Sequence, residues 1–131
     1  MKIRTRCIVA GTRTFTDYNS LVTNLIYIFM SKRLSPEDVE IVSGGAEGAD
    51  KLGERFASGL DSEGLKLTVM EADWDRRGDS AGFIRNKEMA IYANSLPNGM
   101  CVVFWDGKSN GTKNMIKIAE EESLELHVIR Y

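Results

Sequence analysis

Hydrophobic positions fall along the chain in two kinds of run. Five are short and nearly continuous: residues 5–10 (TRCIVA), 39–43 (VEIVS), 65–70 (LKLTVM), 100–105 (MCVVFW) and 124–129 (LELHVI). They are rich in valine and isoleucine and do not alternate cleanly, which is the pattern of strands covered on both faces. Between them, apolar residues recur at helical spacing. Leu21, Val22, Leu25, Ile26 and Phe29 form one stripe; Ala49, Leu52, Phe56 and Leu60 form a second; Met115, Ile116 and Ala119 form a third. The stretch from 80 to 95 is less regular, and Ile84, Ala90 and Ile91 are its expected core contacts. The first helix also carries Tyr27, Ile28 and Met30 outside its core stripe, so it is apolar on more than one face and predicts self-association.

Strand and helix alternate from end to end. Parallel strands need a helix-length connection to return to the same edge, so the order β-α-β-α-β-α-β-α-β predicts an α/β fold with a five-stranded, doubly wound parallel sheet, ordered 3-2-1-4-5. There is no internal repeat, low-complexity segment or linker, and residues 1–131 read as one domain.

Composition changes this picture little. Hydrophobic content of 43% and charged content of 27% are those of an ordinary globular protein. A net charge of -2 lacks the basic excess of nucleic-acid binders, which argues against nucleic acid as a partner. Cys7 and Cys101 lie far apart within apolar runs, with no CxxC and no neighbouring histidine, so buried free thiols are expected and no metal site or cofactor. The start, MKIRTRCIVAG, has too short an apolar segment for a signal peptide, and LVTNLIYIFM is too short and too interrupted to span a bilayer. The expectation is a cytoplasmic protein without membrane contact.

The chemistry sits in the loops. In open α/β sheets ligands bind beyond the carboxyl ends of the strands, where connections diverge. Three loops of unusual composition leave strands one, two and four at that edge: GTRTFTD (11–17), SGGAEGAD (43–50) and DGKSNGT (106–112), each followed by a helix. Helix N-termini carry unpaired N–H groups, and glycine lets an anion approach the backbone. Thr12, Ser43, Ser109 and Thr112 add hydroxyl donors. Neither GxGxxG nor GxxxxGK[ST] is present, which excludes the dinucleotide and P-loop signatures but leaves a site suited to a phosphate-bearing, nucleotide-like ligand.

Taken in order, AGTRTFTDY, IVSGGAEGADKLGERFA, ADWDRRGDSAGFIRNKEMA and VVFWDGKSNGTKNMI resemble the blocks of the DUF2493 family, the YspA-type branch of the SLOG superfamily. That family is similar in fold to the lysine-decarboxylase-like cytokinin-activating proteins and to the DNA-processing protein DprA. The resemblance implies a Rossmann-like three-layer domain that binds nucleotides or nucleotide-derived small molecules, with sensing, sequestering or processing roles. Its site residues are Gly11, Thr12 and Arg13 in the first loop and Gly44, Gly45, Glu47, Gly48 and Asp50 in the second. Arg85 and Asn86 follow in the AGxxRN block, and Asp106, Gly107, Gly111 and Thr112 in the last loop. The phosphoribohydrolase relatives have a PGGxGTxxE loop whose glutamate helps to cleave an N-glycosidic bond. Met115 stands in its place here, and a thioether can neither take a proton nor stabilise an oxocarbenium ion.

Binding without turnover is therefore the expected function. The alternative is a nucleotide hydrolase using Glu47, Asp50 or Asp106, and a weaker one is single-stranded DNA binding. Each residue also has a plainer reading. Asp50 and Glu47 suit a helix dipole, Asp106 suits a turn cap, and Arg85 has Glu88 at i,i+3 for an exposed ion pair. Trp74 is expected to pack against the sheet or a partner subunit; Trp105, at the end of strand four, is open between packing and stacking a base; His127 is expected to be structural.

Overall fold

The structure, a computed structural model, describes residues 3–131, so the first two positions of the basic start lie outside it. Its elements are β1 (Thr5–Gly11), α1 (Tyr18–Ser31), β2 (Val39–Ser43), α2 (Ala49–Gly59), β3 (Lys66–Val69), α3 (Trp74–Arg77), α4 (Ala81–Asn94), β4 (Met100–Trp105), α5 (Asn110–Glu121) and β5 (Glu125–Arg130). All four strand pairings are parallel, and the order is β3-β2-β1-β4-β5, as the alternation predicts.

The central strands explain why their sequences do not alternate. Cys7 and Val9 of β1 join Val39 and Ile41 of β2 and Met100, Val102 and Phe104 of β4 in a core beneath α1 and α2. The residues between them, Ile8, Ala10, Val42, Cys101 and Val103, face the other way into a core beneath α4 and α5. Helices on both faces require apolar residues at successive positions. Both cysteines are free and fully buried, and burial is the main reason their thiol pKa values rise, that of Cys101 to about 12. The edge strands depart from this pattern. Among the described residues nothing pairs beyond β3, and Leu67 and Val69 remain partly open there, as does Val128 on β5.

Three helical expectations are corrected. Ile28 belongs to the core with Leu21, Leu25 and Phe29, which leaves Tyr27 and Met30 as the exposed apolar residues of α1, while Ile26 borders the surface. Ile91 is exposed and Ile84 only half-buried, because α4 turns Ala81, Arg85, Asn86, Met89, Ala90 and Ala93 to the sheet. The extra short helix α3 and the 3-10 turn at Gly78–Ser80 carry the chain from β3 to α4 without burying any residue. Among the described residues, no helix is long and apolar enough to cross a membrane.

Candidate functional site

The three loops meet at the carboxyl edge of β1, β2 and β4. The first is anchored by Phe15, which is buried and stacks on Phe104 with ring centroids 4.9 Å apart. Asp17 then caps α1 by accepting from Ser20 N–H at 3.0 Å. Between these anchors Arg13 stays exposed, whereas Thr12 is buried and its Oγ1 accepts from Asp106 N–H at 3.2 Å. Thr12 thereby ties the first loop to the third.

Glycine is needed at two points of the second loop. Gly48 has φ +82, and a Cβ there would run into the Thr12 carbonyl, so its lack of a side chain lets α2 start against the first loop. At Gly44, a Cβ would lie 2.5 Å from Arg85 Nη1 and 2.8 Å from Asp50 Oδ2. That space belongs to the guanidinium and the carboxylate. Gly44 N–H and Ala46 N–H donate to Asp50 Oδ2 at 3.1 and 3.4 Å, and Gly45 N–H donates to Ser43 Oγ at 3.1 Å. Ser43, fully buried, in turn donates to Glu54 Oε2 at 2.7 Å. These three amides are thus satisfied within the chain, and Asp50 is the anion that Gly44 and Ala46 hold.

Asp106 acts in the third loop as a cap. Its Oδ1 accepts from Lys108 and Ser109 N–H at 2.8 and 2.9 Å, and chiefly these bonds lower its pKa. Gly107, at φ +85, lies against the Arg130 guanidinium, away from the other loops. Ser109 caps α5, its Oγ accepting from Thr112 N–H at 3.3 Å. Trp105 donates through Nε1 to Ser109 O at 3.1 Å and lies 5.1 Å from the Arg130 guanidinium, which makes it a support for this loop rather than a stacking surface.

α4 supplies the central pair. Arg85 and Asn86 occupy its sheet-facing stripe and are 9% and 6% exposed, so Arg85 forms no surface pair with Glu88, which faces Arg77 instead. The Arg85 guanidinium donates through Nη1 to Gly44 O and through Nε to Asn86 Oδ1 at 3.1 Å. Asn86 Nδ2 donates to Asn114 Oδ1 at 2.9 Å and to Gly111 O at 3.4 Å, which ties α4 to the start of α5. Nη2 of Arg85 has no partner among the described residues, and none of their side-chain N or O atoms is both buried and unpartnered, so Nη2 keeps some solvent contact. Burial is the main force lowering the pKa of Arg85. Asp50 opposes that shift, and the like charge of Arg13 adds to it. Burial likewise pushes the Asp50 carboxyl up, to about 6, against the pull of Arg85 and the two amides.

Arg85 borders a cleft of about 210 Å³. Gly11, Arg13, Asp50, Arg85, Asn86, Ser109, Gly111 and Thr112 are the sequence-derived site residues that line it, with Met115 beside them. An adjoining hollow of about 280 Å³ shares Arg13, Ala46, Trp74 and Arg85 with it and adds Gly44, Gly45 and Glu47. Thr12, Ser43, Gly48, Asp106 and Gly107 line neither and support the loops from behind. Sequence reasoning missed Asp79, Gly82 and Phe83, and it expected Trp74 to pack against the sheet or a partner subunit. Trp74 is instead 49% exposed and lines both hollows. The available signal was the AGxxRN block itself, since the residues just before Arg85 begin the same helix and must share its cleft. No cluster of potential metal ligands occurs among the described residues.

A larger hollow of about 310 Å³ lies at the opposite edge of the sheet, beside Arg4, Thr5, Lys32 and Met100. Its cations are already engaged: Arg4 pairs with Asp38 at 3.5 Å and Lys32 with Glu125 at 2.5 Å. His127 completes that surface cluster, 2.6 Å from Glu125.

The sequence comparisons agree with the architecture. The family described as the YspA, cpYpsA-related SLOG family matches residues 5–77. The chain belongs to this SLOG family. The matched region runs from β1 through α3, and so contains the first two loops and Trp74, while α4 and α5 lie beyond it. The chain is also similar to the Gene 61 protein of Mycobacterium phage D29, at 31% identity over 123 residues, 91% of each chain. No solved structure matches it. Membership of the SLOG family associates the chain with the binding or processing of nucleotide-related molecules.

Proposed function

We propose that the cleft between α3, α4 and α5 binds a nucleotide or nucleotide-derived small molecule through its anionic group, in a sensing or sequestering role. One observation carries this reading: Arg85 is a buried guanidinium in the cleft wall whose Nη2 has no partner among the described residues, with a second cation, Arg13, near enough to repel it. An anion between the two relieves that repulsion, and arginine presents a fork suited to phosphate or carboxylate. The start of α5, with Ser109 and Thr112, supplies hydroxyls and the positive end of a helix dipole at the same cleft. Self-association forms part of the proposal, with the exposed Tyr27 and Met30 of α1 as its support; sedimentation is expected to show an oligomer.

Binding without turnover is favoured by Met115, a buried thioether in the cleft wall where the resemblance places a catalytic glutamate. A second reading, hydrolysis of a nucleotide, has one observation behind it. Asp50 is a carboxyl in the cleft wall with its pKa raised to about 6, within the working range of a general acid or base. Mass spectrometry of small molecules released on denaturing the purified protein, then incubation of the native protein with the compound found, separates the two. Recovery of an unchanged nucleotide derivative is expected; free base or sugar phosphate would establish the hydrolase, and release of nothing, with no nucleotide bound on titration, would remove both.

A further inference from the structure

The cleft wall combines two kinds of side chain. Arg13, Arg85, Asn86 and the hydroxyls of the α5 start make part of it polar and cationic. Beside them stand two large aromatic side chains that folding leaves half in solvent, Trp74 at 49% and Phe83 at 51% exposure. Trp74 lies close over the backbone of Gly82: a Cβ there would be 3.3 Å from the far edge of the indole ring. Trp74 also lines the adjoining hollow, together with Arg13, Ala46 and Arg85. No aromatic partner from the rest of the chain stacks on Trp74 or Phe83 among the described residues. Apolar surface of this size gains when a flat hydrophobic group covers it, and a cleft of about 210 Å³ is below the roughly 300–1,000 Å³ of drug-sized pockets, which limits the occupant to a small one.

We propose that Trp74 and Phe83 are the specificity-determining surface of the cleft, receiving the flat ring of a ligand whose anionic group is held by Arg85 and Arg13. This rests on the anion-binding reading above and extends it to the rest of the ligand. Such a site selects molecules that carry both an aromatic base and an anion, and discriminates against sugar phosphates that lack a base. Stacking on an aromatic side chain tolerates any base, so the surface separates base from no base more strongly than one base from another.

The test is calorimetric titration of the full chain with AMP, GMP and ribose 5-phosphate, for the wild type, Trp74→Ala, Trp74→Phe and Arg13→Ala. Both positions are exposed and α3 buries nothing, so these variants retain the fold, which circular dichroism checks. At least tenfold tighter binding of the mononucleotides than of ribose 5-phosphate is expected. Trp74→Ala should abolish that gap while leaving ribose 5-phosphate within twofold, and Trp74→Phe should preserve most of it. A gap unchanged in Trp74→Ala overturns the proposal, as does a change in sedimentation with no change in the gap, which would assign the aromatic pair to a protein partner. Mononucleotide binding that Arg13→Ala weakens but Trp74→Ala does not would overturn the stacking surface alone; wild type that binds none of the three probes would overturn the anion site with it.

Discussion

Asp50 is the residue on which the second loop is built. A carboxylate at the first turn of a helix is an ordinary partner for the dipole, but this one is 4% exposed and reaches back to the amides of Gly44 and Ala46. Its pKa, raised from 3.8 to about 6 mainly by burial, means that the folded state disfavours the charge. An acid with a raised folded pKa contributes stability below its unfolded pKa and loses it as pH rises through the folded value, so this group weakens the fold between about pH 4 and pH 6 to 7. Some two units at about 1.4 kcal/mol each give a difference of roughly 3 kcal/mol. Asp50→Asn retains an oxygen for the two amides and removes the titration. Urea denaturation at pH 4.5 and 7.5 should show stability falling with pH more steeply in wild type than in the variant; equal slopes would contradict the burial account. Gly44→Ala tests the same cluster sterically. The added Cβ displaces the Arg85 guanidinium, for a loss of about 1–3 kcal/mol in thermal or urea unfolding and a loss of anion affinity. A variant as stable as wild type would show that Arg85 does not need that space.

Among the elements, α4 departs furthest from its sequence pattern. Read by hydrophobicity, it should bury Ile84 and Ile91; it buries Arg85 and Asn86 and leaves Phe83 and Ile91 outside. The periodicity fails because half of the stripe is spent on a polar site, and polar residues at core-facing positions look like surface residues when only hydropathy is counted. The strands were legible because a sheet covered on both faces needs uninterrupted apolar runs, and the same runs fixed the order of the sheet. The loops were legible as a site but not in detail: composition marked all three, yet only the folded geometry separates Arg13 and Ser109, which line the cleft, from Asp106 and Gly107, which shape its support. Trp74 was not legible, because a tryptophan before a helix is as good a core residue as a cleft residue until its exposure is seen.

The other end of α4 is fixed by a network without an apparent sequence signal. Glu40, 5% exposed on β2, accepts from Arg6 at 3.1 Å and from Thr68 at 2.6 Å and is bonded by the Tyr92 hydroxyl of α4. Burial pushes its carboxyl up, but the bonds from Thr68, Tyr92 and Arg6 outweigh it and leave the pKa lowered. Arg6 also lies 3.9 Å over the Tyr92 ring. Glu40→Ala strands these donors and should cost about 2–3 kcal/mol in urea denaturation, with part regained in the Arg6→Ala double variant. A loss below about 0.5 kcal/mol would show that the network does not hold α4 to the sheet.

For the whole molecule, the topology decides where ligand chemistry gathers. Reversal of the winding between β1 and β4 leaves a gap at the carboxyl edge, and the loops after β1, β2 and β4 converge on it with α4 closing one side. The larger hollow at the opposite edge has its cations paired within the chain, so charge rather than volume distinguishes the two. The most direct test of the account is a backbone amide NMR titration of the protein with the mononucleotide it binds most tightly. Shifts confined to residues 10–13, 46–50, 74–86 and 109–115 are predicted, because these segments line the cleft. Shifts centred on Arg4, Lys32 and Asn98 at the opposite edge, with the cleft unmoved, would contradict it.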